Sequence, residues 1–122
     1  MNITPCLSHV SLGTNNFDAA AQFYDQVLGA LGCRRVLEHP GAIGYGRDYP
    51  EFWLQLPIDG KPAGIANGVH VGFFATSKQQ VDEFYQQAGR RWGARRRCTG
   101  LTATLRCRLL RLFRPAIWMA TR

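Results

Sequence analysis

Two of the three histidines, His9 and His70, each sit near the start of an apolar, strand-like run, LSHVSLGT and VHVGFFA. They lie 61 residues apart, and the same offset lays Phe23-Tyr24 on Phe84-Tyr85 and Gln26 on Gln87. Imidazole nitrogen suits borderline divalent ions, so a repeat-related pair of histidines points to metal coordination. The competing role for either one is that of a structural or solvent-facing strand residue. Tyr45, Trp53 and Phe74 stand in strand-like runs where they could line a cavity for a flat or apolar ligand, or simply fill the core. Arg47 and Lys61 stand in loops from which they could reach an anionic substrate, although isolated charges of this kind are ordinarily solvated. Cys6, Cys33, Cys98 and Cys107 form no CxxC pair and are read as free thiols. No residue stands out as a general base.

The elements that position these residues follow from periodicity. Leu7 to Thr14 alternates like a strand. Asn15 or Asn16 then caps a helix whose apolar residues Phe17, Ala20, Tyr24, Val27, Leu28 and Leu31 recur at helical spacing, with Gly32 as its stop. Three short strands are expected next, Arg34 to Glu38, Ala42 to Gly46 and Phe52 to Leu56, separated by His39-Pro40-Gly41 and by Arg47 to Pro50. A polar connection over residues 57–68 leads to a second strand, Val69 to Ala75. Ser77 and Gln80 then form a capping box that opens a helix burying Val81, Phe84, Tyr85 and Ala88. The order is β-α-β-β-β, followed by the start of a second copy. The expected organisation is one α+β domain over residues 1–122, with module one at 1–60, a linker at 57–68, module two at 69–89 and a tail at 90–122.

The segments LSHVSLGTNNFDAAAQFYDQVLGALG, IGYGRDYPEFWLQL and GVHVGFFATSKQQVDEFYQQA resemble the glyoxalase/bleomycin-resistance/dioxygenase family, also called vicinal oxygen chelate proteins, over about residues 6–89. The resemblance implies paired βαβββ modules that form a cupped mixed sheet around a divalent metal. It also implies that metal ligands come from the first and last strands of each module. His9 falls on the first of these places, Gln55 on the second and His70 on the third. The family usually has glutamate where Gln55 stands, so the implied set contributes no negative charge and weak binding of Zn, Ni, Mn, Fe or Co is expected. An ion with open positions could take two neighbouring substrate oxygens, acidify a C–H beside a carbonyl or activate O2.

The formal net charge of +7 is unevenly distributed. Through Gly89 there are five basic residues against all eight acids, whereas residues 90–122 hold ten arginines, no lysine and no acid. Such a composition is what a shifted reading frame in a GC-rich gene yields. Back-translating the tail with chosen synonymous codons and reading one base later gives GGDGAPG, then YAAAFFVF and a DP dipeptide, much like the corresponding stretch of the family. The second module is therefore expected to be incomplete or irregular after residue 89, with no candidate for the fourth metal position. LTATLRCRLLRLF alternates loosely enough to pair as a strand. The alternative for the tail, a nucleic-acid-binding arm, lacks interleaved aromatics and any recognised motif, so nucleic acid is not an expected partner.

No apolar run approaches the roughly 20 residues that span a bilayer, and no basic segment followed by a long apolar one opens the chain. A cytoplasmic protein that pairs through its exposed strand edges as a homodimer is the expectation. Two functions remain open. One is a metal-dependent lyase, isomerase or dioxygenase acting on a small molecule. The other is a metal-free module that binds or sequesters a small molecule, or a degenerate inactive member.

Overall fold

Helix α1 (Phe17–Gly29) begins where the Asn16 side chain accepts the Ala19 N–H at 3.2 Å, satisfying a donor that the first turn leaves unpaired. It ends where Gly32 takes a φ of +77° and the Cys33 N–H turns back to the Leu28 carbonyl. The computed structural model describes residues 5–64, 69–92 and 116–121. It divides into two compact units, Met1–Ala63 and Gly64–Arg122, with the division inside the connection that follows the first module.

In the first unit, β1 (Val10–Gly13), β2 (Arg34–His39), β3 (Ala42–Gly46) and β4 (Phe52–Gln55) form one sheet in the order β1-β4-β3-β2. β1 runs parallel to β4 and the other pairs are antiparallel, which gives the mixed sheet of an α+β module. β1 is shorter than the alternating run Leu7 to Thr14, and His9 lies just before it. The β2–β3 turn uses Pro40-Gly41, with Gly41 at a φ of +75°, the value a type II turn needs at its third residue.

One face of this sheet packs on α1. Tyr24, Val27, Leu28 and Leu31 meet Ile43, Tyr45, Phe52 and Leu54, all nearly solvent-free. The Tyr24 ring lies 4.9 Å from Phe52 and meets Phe23 edge-on at 5.1 Å, within the range where aromatic pairs attract. Side chains of this size each contribute roughly 1.5–3 kcal/mol on burial.

In the second unit, β5 (His70–Ala75) leads into α2 (Lys78–Trp92), and β6 (Ala116–Thr121) pairs parallel to β5. The Ser77 hydroxyl accepts the Gln80 N–H at 3.2 Å, while the Gln80 side chain accepts the Thr76 N–H at 2.8 Å. The capping pair therefore forms, with the glutamine reaching one residue further back than expected. Phe73 faces Phe84 of α2, whose side chain is buried. α2 continues past Gly89, and β6 is a strand within the arginine-rich tail. The parallel β5–β6 pair repeats the parallel β1–β4 pair of the first unit. LTATLRCRLLRLF lies outside the described residues, as do Cys98 and Cys107. No helix among the described residues is long and apolar enough to cross a membrane.

Candidate functional site: the helix-free face of the first sheet

Strand register decides which side chains share a face, because partners on adjacent strands point the same way. Leu37, Gly44, Trp53 and Ser11 form one row across β2, β3, β4 and β1. His39, Ala42, Gln55 and Gly13 form the next. Both rows lie on the face away from α1, and their residues are more exposed than those of the helix-facing rows. Trp53 and Gln55 are half-buried, and the Gln55 amide makes no hydrogen bond among the described residues.

β2 reaches this arrangement through a bulge. Arg35 pairs with Tyr45 on the helix face, yet Leu37 pairs with Gly44 on the other, because the register shifts between them. An extra residue of this kind reverses the alternation and re-aims every side chain beyond it. Arg35 thereby stays with α1, where its guanidinium makes two 2.7 Å bonds to the Asp25 carboxylate. These bonds push the arginine further up from its ordinary value. His39 is delivered to the opposite face, and its ring stands nearly parallel to Trp53, at 10° and a centroid separation of 6.1 Å.

Trp53 lies over Gly44. A Cβ at that glycine would come within 3.0 Å of the indole and 2.7 Å of the Pro50 Cβ. The small residues of β3 on this face, Ala42 and Gly44, thus leave the space that the larger rings occupy.

Tyr45 is separated from Trp53 by the thickness of the sheet. It sits on the helix face, 1% exposed, with its hydroxyl 2.9 Å from Asp25 Oδ1 and 3.2 Å from the Ala21 carbonyl. Burial, reinforced by the bond to Asp25, raises its phenol above the ordinary value. A ligand on the other face does not meet it. Phe74 belongs to the second unit and is 58% exposed on β5.

His9 is exposed, with Nδ1 3.2 Å from the Ser8 hydroxyl. Continuing the β1–β4 register by one residue sets it across from Glu51, on the face of Ser11 and Gly13. Gln55 shares that face but lies four residues further along, about 13 Å at the usual strand rise. His70 opens β5 in the second unit, paired with Ala116.

The counterpart of Gln55 in the second copy follows from register. Gln55 stands beside Gly13, and the residue 61 positions after Gly13 is Phe74, which stands beside Ala120. In the first unit the sequence offered His9 and Gln55, which contribute no negative charge to compensate a divalent ion. Among the described residues no three His, Cys, Asp or Glu gather closely enough to hold a metal.

Two other candidates are accounted for structurally. Arg47 donates to the Leu31 carbonyl at 2.8 Å, closing the end of α1. Cys33 is a free, half-buried thiol that burial raises, with Arg47 opposing, so it stays protonated at neutral pH. Cys6 is also free and is exposed.

The profile of the Glyoxalase/Bleomycin resistance protein/Dioxygenase superfamily matches residues 7–92. A glyoxalase/bleomycin resistance protein from Albidiferax ferrireducens T118 is similar in structure, with a TM-score of 0.64 and 33% identity over 70% of this chain and 68% of that one. A Bacillus halodurans protein assigned as a glyoxalase shares the fold, with a TM-score of 0.58 and 23% identity over 70% of this chain and 68% of its own. No curated protein matches the chain.

Proposed function

Because the chain belongs to the glyoxalase/bleomycin resistance protein/dioxygenase superfamily, we propose that it binds a small organic molecule on the helix-free face of its first sheet, around Trp53 and Gln55, without a metal. The observation that carries this reading is the pairing of a supported aromatic surface with an incomplete donor set. Trp53 rests over Gly44 next to the Gln55 amide, which makes no hydrogen bond among the described residues, and neither His9 nor Gln55 contributes a negative charge. Such a site holds and sequesters a molecule. It requires no general base, and none is identified. A cytoplasmic homodimer is the form in which we expect it to act.

The test is a thermal-shift screen of a small-molecule library with and without EDTA. Ligands should raise the melting temperature equally in both conditions and lose their effect in Trp53→Leu. Stabilisation that appears only after metal loading would sink this reading.

His9 and Gln55 do share a face, and that observation favours a second reading, in which they and His70 hold a divalent ion weakly and support a lyase, isomerase or dioxygenase reaction. Saturable Ni2+ or Zn2+ binding by calorimetry, abolished by His9→Ala in a protein that still folds, would support it.

A further inference from the structure

Gly13 shows where the segment after β4 runs. It stands in the row of Gln55, so a side chain there would point to the helix-free face. A Cβ at Gly13 would meet the Ala63 Cβ and the Pro57 Cγ, each at 3.5 Å, which is ordinary van der Waals contact. Pro57 and Ala63 therefore stand over that face beside Gln55. Both are half-buried, whereas the residues between them, Ile58 to Pro62, are exposed. On the other side of β4, Pro50 closes on Gly44. Trp53 and Gln55 thus lie on a strand flanked by two walls.

We propose that Asn15 is a positioning residue for the binding site: acting through Ala63, it holds residues 57–63 as the wall on the β1 side of the helix-free face, and so sets how tightly that face retains a ligand. This rests on the binding reading above.

The wall has little of its own to keep it in place. Its internal hydrogen bonds run from the Gly60 N–H to the Pro57 carbonyl at 3.1 Å and from the Lys61 N–H to the Asp59 side chain at 3.0 Å, and both only close the turn. Among the described residues, the hydrogen bonds that join 57–63 to the rest of the first unit are the two made by Asn15. Its carboxamide donates to the Ala63 carbonyl at 3.0 Å and accepts the Ala63 N–H at 2.6 Å. Only a carboxamide does both, since a carboxylate accepts alone and an aliphatic side chain does neither. Without the pair, the segment spends part of its time away from the face. The apparent affinity then falls in proportion to the fraction of molecules that keep the wall in place.

The test uses the full chain and 2-naphthol, a neutral probe that the arginine-rich tail does not attract, titrated by fluorescence. Trp53→Leu marks the binding that belongs to this face. Amide exchange at Ala63, followed by NMR, reports the tie without any ligand. Asn15→Leu should speed that exchange at least tenfold and weaken 2-naphthol about tenfold. Asn15→Asp keeps the acceptor and loses the donor, so both of its effects should fall in between. Asn15 is exposed and precedes the N-cap of α1, so circular dichroism and urea titration should show both variants folded. A merely structural role would move the urea midpoint and leave the affinity of the folded protein unchanged.

Native affinity in Asn15→Leu despite faster Ala63 exchange overturns the proposal and leaves the binding reading standing. Unchanged Ala63 exchange in that variant also overturns it, because the tie would then not be what holds the wall. If 2-naphthol shows no Trp53-dependent binding to the native protein, both fall.

Discussion

His39 meets Trp53 because β2 holds one residue more than its partner strand at the Arg35/Leu37 shift, so that Arg35 faces the helix and His39, four residues on, faces away from it. Deleting Val36 should remove the shift and carry His39 to the helix side. The His39 ring protons, shifted by the neighbouring indole in the native protein, should then move to solvent-like positions in the NMR spectrum. Unchanged shifts would mean that the strand re-forms its bulge elsewhere.

Gly44 gives a second handle on Trp53. In Gly44→Ala the new methyl meets the Trp53 ring at 3.0 Å and the Pro50 Cβ at 2.7 Å, so the indole must tilt. Overpacking of this kind costs about 1–3 kcal/mol. Urea denaturation should report that loss, and ligand stabilisation in the thermal-shift assay should shrink with it.

Tyr24 packs its ring well and its hydroxyl badly. The oxygen is buried without a hydrogen-bond partner among the described residues, and burial raises the phenol above its ordinary value. Tyr24→Phe removes the desolvated oxygen while keeping the ring, and should stabilise the protein by about 1 kcal/mol in urea titrations.

The same burial sets a pH dependence. Tyr24 and Tyr45 are both raised in the folded protein. Their contribution is therefore fully present below the ordinary tyrosine value of about 10 and is lost as the pH rises through their folded values. The urea midpoint should fall above about pH 10, and the fall should be smaller in Tyr45→Phe. That variant also gives up the bond to Asp25, so at neutral pH it should be less stable by about 1 kcal/mol.

The Arg35–Asp25 pair is bidentate but a third or more exposed on both sides, 33% and 38%, so solvent screens it. Arg35→Leu should cost no more than about 1 kcal/mol. The cost should diminish in about 1 M salt, where the screening length falls to roughly 3 Å.

Helix α1 was legible in the sequence because its capping asparagine, its apolar spacing and Gly32 all agree, and the four strands of the first unit emerged from the turns between them. The side of the sheet taken by Tyr45 was not legible. Its strand, AIGYG, contains no polar residue to mark a solvent face, and four of its five residues are buried. His39 was visible only as part of a turn, since nothing in RRVLEH announces a bulge. Gly44, which makes room for Trp53, looked like any strand glycine until the register put the indole above it. His9 and His70 were found through the repeat, and Ala120 could be matched to Gln55 only once the β5–β6 register was known.

The composition break near Gly89 carries its own test. Sequencing the source DNA across the codons for Gln86 to Arg97 should reveal a missing or additional base. An intact frame would establish the arginine-rich ending as the natural one.

Asn15 ends the first unit from within. Its carboxamide donates to the Ala63 carbonyl at 3.0 Å and accepts the Ala63 N–H, so the segment after β4 is tied back to the head of α1. A protease that cuts just after Ala63 leaves this tie whole, whereas one that cuts between Pro57 and Lys61 separates its two ends. The same holds for recombination: a crossover placed beyond Ala63 transfers the first half with its closure included. That is the kind of seam at which half a fold can be copied and joined to another.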